Sequence, residues 1–184
     1  MGKILQLKIY LNGIKPQIWR RFLVKDEISF HKLHNIIQEV MGWEDYHLYE
    51  FNLNGESIGL VDDDALDSNP ELKDSEKIKL LKYLNEEKQK FLYIYDFGDS
   101  WEHILVVEKI LEGDASKKYP VCIEGERACP PEDCGGIWGY EEFLKIKNNK
   151  NHPDYEEKIV DWLGEDFDFE KFDLEGVNKN LQKF

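Results

Sequence analysis

Residues 91–111, FLYIYDFGDSWEHILVVEKIL, hold the two strongest strand patterns in the sequence. They predict strands over Phe91 to Phe97 and Trp101 to Leu111, joined by the tight turn Gly98-Asp99-Ser100. Large apolar side chains alternate onto both faces of the first strand, which is typical of a strand in the interior of a sheet. The sequence therefore predicts a central β-hairpin.

The residues before this hairpin predict four more strands and one helix. Alternating apolar and polar residues indicate the strands. Ser29 is a suitable N-cap for the helix, which ends at Gly42. The order strand–strand–helix–strand–strand is similar to the start of a β-grasp domain. The predicted elements are strands over Lys3 to Leu11, Gln17 to Lys25, His47 to Asn52 and Ser57 to Val61, and a helix over Phe30 to Met41.

The other segments predict two loops and several helices. Residues 62–76 are predicted as an acidic loop, followed by a short helix over Ile78 to Asn85. Residues 112–139 are predicted as one long loop, because they contain all three cysteines, three of the six prolines and five of the 13 glycines. Residues 140–184 predict a helical part that packs on the sheet, with helices over Tyr140 to Lys147, Pro153 to Leu163 and Val177 to Leu181.

Length and composition limit the class of protein. A chain of 184 residues fits one domain, and the predicted elements indicate an α+β fold with a mainly antiparallel sheet. The formal net charge of −14 argues against nucleic acid or an anionic membrane surface as a partner. We find no apolar run long enough to span a membrane, and three cysteines do not form a disulfide framework. We therefore expect an acidic cytoplasmic protein.

The first candidate site is the hairpin corner, residues 95–103. Asp96, Asp99 and His103 combine carboxylates with an imidazole, and such groups bind a divalent metal ion or act as an acid–base pair. The sequence requires no cofactor, although a divalent metal ion is compatible with these three residues. The alternative is structural, since Asp and Ser are common turn residues and His103 could bond to a carbonyl in the core.

The second candidate site is the segment RACPPEDCGG, residues 127–136. Its two prolines fix the backbone and its two glycines permit sharp turns. Cys134 beside His103 is a candidate nucleophile, which requires a lowered thiol pKa. The three cysteines are separated by six and four residues, unlike the paired two-residue spacing of zinc ribbons. The alternative is a rigid structural loop with buried thiols.

We expect residues 95–103 and 127–136 to meet and to form a cleft. The favoured function is a binding or accessory module for a small ligand or a protein segment. The alternative is a metal-assisted or Cys-dependent hydrolase that uses Asp96, Asp99, His103 and Cys134; the oligomeric state is left open. The expected ligand-binding residues are Tyr95, Trp101, Arg127, Glu132, Asp133 and Trp138.

Two other histidines are interpreted as structural. His34 lies beside the apolar stripe of the predicted helix, and His47 begins a predicted strand. A lone histidine near an apolar face is more often a core residue with satisfied hydrogen bonds than a ligand. A ligand role is the less favoured alternative for both.

Three motifs occur in order along the chain: IKPQIWRR at 14–21, YIYDFGDSWEH at 93–103 and PPEDCGG at 130–136. Together with Leu33-His34, Gly42-Trp43, His47-Leu48, Tyr119-Pro120, Gly139-Tyr140, Asn178 and Leu181, they resemble the plasmid pRiA4b ORF-3-like family over nearly the whole chain. The resemblance implies one compact α+β domain in which the two central motifs act as a unit. It also implies a passenger of insertion elements or plasmids, but no catalytic residues. The resolvase-like label of such proteins has no basis in this sequence, which lacks a serine-recombinase pattern and a basic DNA-binding region.

Overall fold

The computed structural model describes residues 2–184, and only the backbone at residues 63 and 64. One sheet contains eight strands: β1 (Lys3–Leu11), β2 (Trp19–Lys25), β3 (Tyr49–Leu53), β4 (Glu56–Gly59), β5 (Lys73–Asp74), β6 (Lys90–Tyr95), β7 (Trp101–Glu112) and β8 (Val121–Glu126). Their order is β5-β4-β3-β6-β7-β1-β2-β8. Neighbouring strands are antiparallel, except for the parallel pair β4 and β5.

The helices are α1 (Phe30–Met41), α2 (Asp63–Ser68), α3 (Gly136–Lys147) and α4 (Leu174–Leu181), with a 3-10 turn at Leu80–Lys82 and a π-type helix at Glu156–Leu163. The predicted α+β class with a mainly antiparallel sheet is confirmed. So is the order of the first five elements. Among the described residues, no helix is both long enough and apolar enough to cross a membrane.

The predicted hairpin is β6 and β7, and it lies at the centre of the sheet. Tyr95 pairs with Trp101 next to the turn, and β6 also pairs with β3 on its other side. Side chains at alternate positions of β6, such as Tyr93 and Tyr95, are fully buried, whereas Ile94 between them is only half-buried. The sheet therefore buries one face in the core, and its other face is partly open.

Helix α1 covers the buried face of the sheet. Its apolar stripe packs inward, and the ring of Phe30 contacts that of Phe51 on β3 edge-on, with 5.2 Å between the centroids. The Ser29 hydroxyl accepts a hydrogen bond from the backbone N–H of Lys32 (3.1 Å), as predicted for an N-cap. The helix ends at Gly42, whose φ of 97° lies in the left-handed region that favours glycine.

The prediction of one long loop over residues 112–139 is wrong. The middle of this segment is β8, which pairs with β2 at the edge of the sheet, and α3 already begins at Gly136. Asn178 from α4 accepts from the N–H of Cys122 (2.9 Å) and donates to its carbonyl oxygen (2.8 Å). This side chain therefore satisfies backbone groups of β8 that no further strand pairs.

Other boundaries also differ from the predictions. The acidic loop at residues 62–76 contains α2 and the short strand β5, and the helix predicted over residues 78–85 is reduced to a 3-10 turn. Helix α3 begins four residues before its predicted start, and α4 begins three residues before. The π-type helix begins three residues after its predicted start. Helix α4 packs against α1 and β8, and α3 packs against the π-type helix.

Candidate functional site

The hairpin turn places Asp96 where its carboxylate is fixed. Asp96 and Ser100 both have positive φ values (56° and 52°), and the N–H of Ser100 donates to the carbonyl oxygen of Asp96 (2.6 Å). Asp and Asn tolerate this conformation better than most residues. Asp96 Oδ1 also accepts from the N–H of Gly98 (2.8 Å). One carboxylate oxygen is therefore committed to the turn, and Oδ2 is left for other partners.

The loop at residues 130–136 meets this turn, as expected from the sequence. The N–H of Gly135 donates to Asp99 Oδ2 (3.0 Å), and the Tyr95 hydroxyl donates to Glu132 Oε1 (3.0 Å). A Cβ atom on Gly136 would lie 2.7 Å from the carbonyl oxygen of Asp99. Only glycine permits so close an approach of the two backbones.

A third segment, residues 44–47, was not predicted to lie here, and it completes the site. The backbone N–H groups of residues 44–46 donate in turn to Glu132 Oε1 (2.9 Å), Gln38 Oε1 (3.0 Å) and the Tyr95 hydroxyl (3.0 Å). These three acceptors belong to the loop, to α1 and to β6. The segment is therefore held from three sides, and it presents His47 to the other two segments.

Four side chains converge at this point. His47 Nε2 lies 3.0 Å from Asp133 Oδ1, 3.7 Å from Asp96 Oδ2 and 3.9 Å from Glu132 Oε2. His47 Nε2 and Glu132 Oε2 are shielded from solvent, and neither makes a hydrogen bond. We call residues 44–47, 96–102 and 130–136 the acidic corner. It carries seven carboxylates and no Lys or Arg.

Of the three candidate metal ligands named from the sequence, the structure brings only Asp96 to this point. Asp96 belongs to the group of potential ligands, together with His47 and Asp133. His103 is instead fully buried, edge-on to Trp43, and burial lowers its pKa to about 3. Asp99 holds the N–H of Gly135. His103 alternates with Trp101 and Leu105 on the buried face of β7, so it enters the core rather than joining Asp96.

Two expected ligand-binding residues also have structural positions. Trp101 is fully buried beside Trp43, with 6.0 Å between ring centroids. Arg127 is buried in an ion pair with Glu170 (2.7 Å) and donates to the carbonyl oxygen of Pro16 (2.8 Å). Neither side chain lies at the rim of the acidic corner. Tyr95 is buried beneath it, where its hydroxyl positions Glu132.

Cys134 within the corner and Trp138 beside it have different environments. Cys134 is buried, and burial raises the pKa of its thiol to about 12, so the group stays protonated at neutral pH. Trp138, on the first turn of α3, is 83% exposed. It borders an open depression of about 410 Å³ that is also lined by Asp99, Glu102 and Gly136.

His34 has the structural position that the sequence indicated. It is fully buried and stacks on Tyr49, with 3.6 Å between ring centroids. Its Nδ1 lies 2.8 Å from the Tyr93 hydroxyl and its Nε2 lies 2.7 Å from Asp45 Oδ1. Burial lowers its pKa to about 4 although Asp45 opposes this shift, so His34 is neutral near pH 7.

Comparison with known proteins supports this description of the chain. A curated relative, "Uncharacterized protein y4hQ" from Sinorhizobium fredii, is 33% identical over 181 residues, which cover 97% of this chain and 91% of the relative. A solved structure, titled as a protein of unknown function, MM3350, from Methanosarcina mazei Go1, is 42% identical. It superimposes with a TM-score of 0.86 over 95% of this chain and 97% of that chain. Because the model of the plasmid pRiA4b ORF-3-like proteins matches residues 3–176, from β1 into α4, the chain belongs to that family.

Proposed function

We propose that this protein is a binding module that takes a positively charged ligand at the acidic corner. The observation that carries the proposal is uncompensated charge. Among the described residues, no Lys or Arg nitrogen lies within 4.0 Å of any of its seven carboxylates, and His47 is the nearest basic group to three of them. Carboxylates crowded in this way repel one another, and a bound cation relieves the repulsion.

The negative charge of the acidic corner also argues against phosphate-bearing ligands. Phosphate groups of nucleic acid or of a membrane surface would be repelled by the acidic corner. A Cys-dependent hydrolase is not favoured, because a buried thiol with a pKa of about 12 is a poor nucleophile. The exposed ring of Trp138 beside the corner is compatible with an organic cation, which could contact the face of the indole.

Thermal unfolding with a panel of ligands tests this proposal. The panel contains Zn²⁺, Mn²⁺, Ca²⁺, spermidine, arginine amide, sulfate and phosphate at constant ionic strength. We expect at least one cation to raise the Tm by about 5–10 °C at about 100 times its Kd, because binding to the folded state alone adds about 2.7 kcal/mol. The anions should have no such effect.

A pair of variants shows where the ligand binds. Glu132→Gln combined with Asp133→Asn removes two charges and retains side chains of the same size, so the shift in Tm should disappear. Asp161→Asn, on the exposed face of the π-type helix, should retain the full shift. The proposal fails if no cation stabilises the protein, if an anion does so, or if both variants respond alike.

A further inference from the structure

We infer that the ligand is a single divalent transition-metal ion, bound by His47, Asp96 and Asp133, with the charge of Glu132 beside it. This inference rests on the proposed function and specifies its ligand. It differs from the set predicted from the sequence, because His47 replaces His103, and Asp133 replaces Asp99.

The distances between the donor atoms fit one ion. The chosen atoms of His47, Asp96 and Asp133 all lie within 4.8 Å of one another. Ligand atoms at about 2.0–2.2 Å from a metal ion stand about 3 Å apart when adjacent and about 4 Å apart when opposite. The separations of 3.0, 3.7 and 3.9 Å from His47 Nε2 lie in this range. Small rotations of these three side chains would therefore bring their donor atoms to one ion.

Unsatisfied polar atoms at the same point are independent evidence for a ligand. Glu132 Oε1 accepts two hydrogen bonds, whereas its Oε2 accepts none, and His47 Nε2 also lacks one. The Asp96 side chain is only 10% exposed, and its Oδ2 faces His47 with no hydrogen-bond donor. Shielded polar atoms without partners are rare and costly in native proteins. A cation at this point would bind the His47 nitrogen and the Asp96 oxygen, and it would attract the Glu132 carboxylate.

The types of donor indicate the class of metal. Ca²⁺ and Mg²⁺ take oxygen ligands, whereas an imidazole nitrogen together with carboxylates is suited to Zn²⁺, Mn²⁺, Fe²⁺, Co²⁺ or Ni²⁺. The Asp133 side chain is 67% exposed, so the ion would lie at the surface. Such a site leaves room for a further ligand from solvent, as open metal sites do.

The surrounding contacts hold the donors in place before any ion binds. Glu132 Oε1 is fixed by the Tyr95 hydroxyl and by the N–H of Glu44, which leaves Oε2 pointing toward His47. Asp96 is fixed through Oδ1 by the N–H of Gly98. Such supporting hydrogen bonds orient ligands and raise the affinity of a site.

Equilibrium dialysis of the full chain, freed of metal with a chelator, tests the inference. Samples are dialysed against Zn²⁺, Co²⁺, Mn²⁺, Ca²⁺ or Mg²⁺, and the bound metal is measured by elemental analysis. We expect one ion of the transition-metal class per chain, with Ca²⁺ and Mg²⁺ bound at least about 100-fold more weakly. Bound Co²⁺ should give visible absorption bands that change in His47→Ala.

Matched variants separate this site from general attraction to an acidic surface. His47→Ala and Asp96→Asn should each weaken binding about 100-fold or more, since even residues that only support a metal ligand contribute 10–100-fold. Glu132→Gln should weaken binding less, and its amide oxygen can keep the loop contacts. The controls His152→Ala and Asp161→Asn, outside the corner, should bind as the parent protein does. Unchanged Tm values of the metal-free variants, or higher ones after loss of a repelling charge, show that they fold.

The outcomes distinguish the inference from the proposed function. Equal binding to the parent protein and to His47→Ala overturns the inference, as does a preference for Ca²⁺. If no divalent metal binds but spermidine or arginine amide raises the Tm, the metal site is wrong and the cation-binding function survives. If neither class binds, both fail.

Discussion

Gly136→Ala will destabilise the protein by about 2–5 kcal/mol, whereas Gly135→Ala will cost only about 1–2 kcal/mol. Both glycines have positive φ values, 67° and 89°, so an added side chain strains the backbone at each. Only at Gly136 does the new Cβ meet a backbone atom closely, at 2.7 Å from the carbonyl oxygen of Asp99; at Gly135 the nearest atom is 3.7 Å away. The difference between the two variants therefore reports the contact of the loop with the hairpin turn.

Urea unfolding of the two variants measures this difference. The midpoint should fall for both, and further for Gly136→Ala, while the dependence of the unfolding free energy on urea stays constant. Equal losses in the two variants would mean that the loop does not touch the turn at Asp99. In that case the acidic corner would not exist as described.

Gly139→Ala will cost about 3 kcal/mol or more, although alanine normally stabilises the interior of a helix by about 1 kcal/mol relative to glycine. Gly139 lies in the first turns of α3, and an added Cβ would be 1.8 Å from the carbonyl oxygen of Cys134. That oxygen is part of the backbone, so the whole loop must move to accept the side chain. A loss of stability at a helical position where alanine normally increases stability would therefore indicate that the loop packs on α3.

Gly164→Ala is the matched control for Gly139→Ala. Gly164 has a φ of 90°, and a Cβ there has no neighbour within 4 Å, so this variant should lose only the conformational cost of about 1–3 kcal/mol. Chemical denaturation compares the two. A stabilised Gly139→Ala variant, or one that loses no more than Gly164→Ala, would contradict the described packing of residues 134–139.

The parts of the fold that the sequence predicted are those that depend on local signals. The central hairpin is fixed by apolar alternation within 21 residues, and α1 by a capping serine and a terminal glycine. The strand β8 was missed because its partner β2 is about 100 residues away. Gly125 also interrupts its pattern, and there a Cβ would lie 2.6 Å from Phe172. Non-local pairing of this kind leaves little trace in a single sequence.

The candidate site was predicted only in part, because local signals reveal some of its residues and the others come together from distant segments. The meeting of the hairpin turn and the proline–glycine loop followed from their rigid composition, and Asp96, Glu132 and Asp133 are among the residues named in advance. The structure does not bring His103 to this site, because His103 shares the buried face of β7 with Trp101 and Leu105. His47 was missed because its partners come from distant segments. The sequence did contain one indication that His47 lies in an acidic region: residues 43–72 contain no Lys or Arg, although acids are frequent there.

Anomalous X-ray scattering from crystals grown with Co²⁺ gives the most direct test of cation binding at the acidic corner. Data on both sides of the cobalt absorption edge locate the ion without reference to any assumed ligand. We expect one strong peak about 2.0–2.2 Å from His47 Nε2 and from carboxylate oxygens of Asp96 and Asp133. Cobalt found only at other surface carboxylates or histidines, with no peak beside His47, would contradict the account.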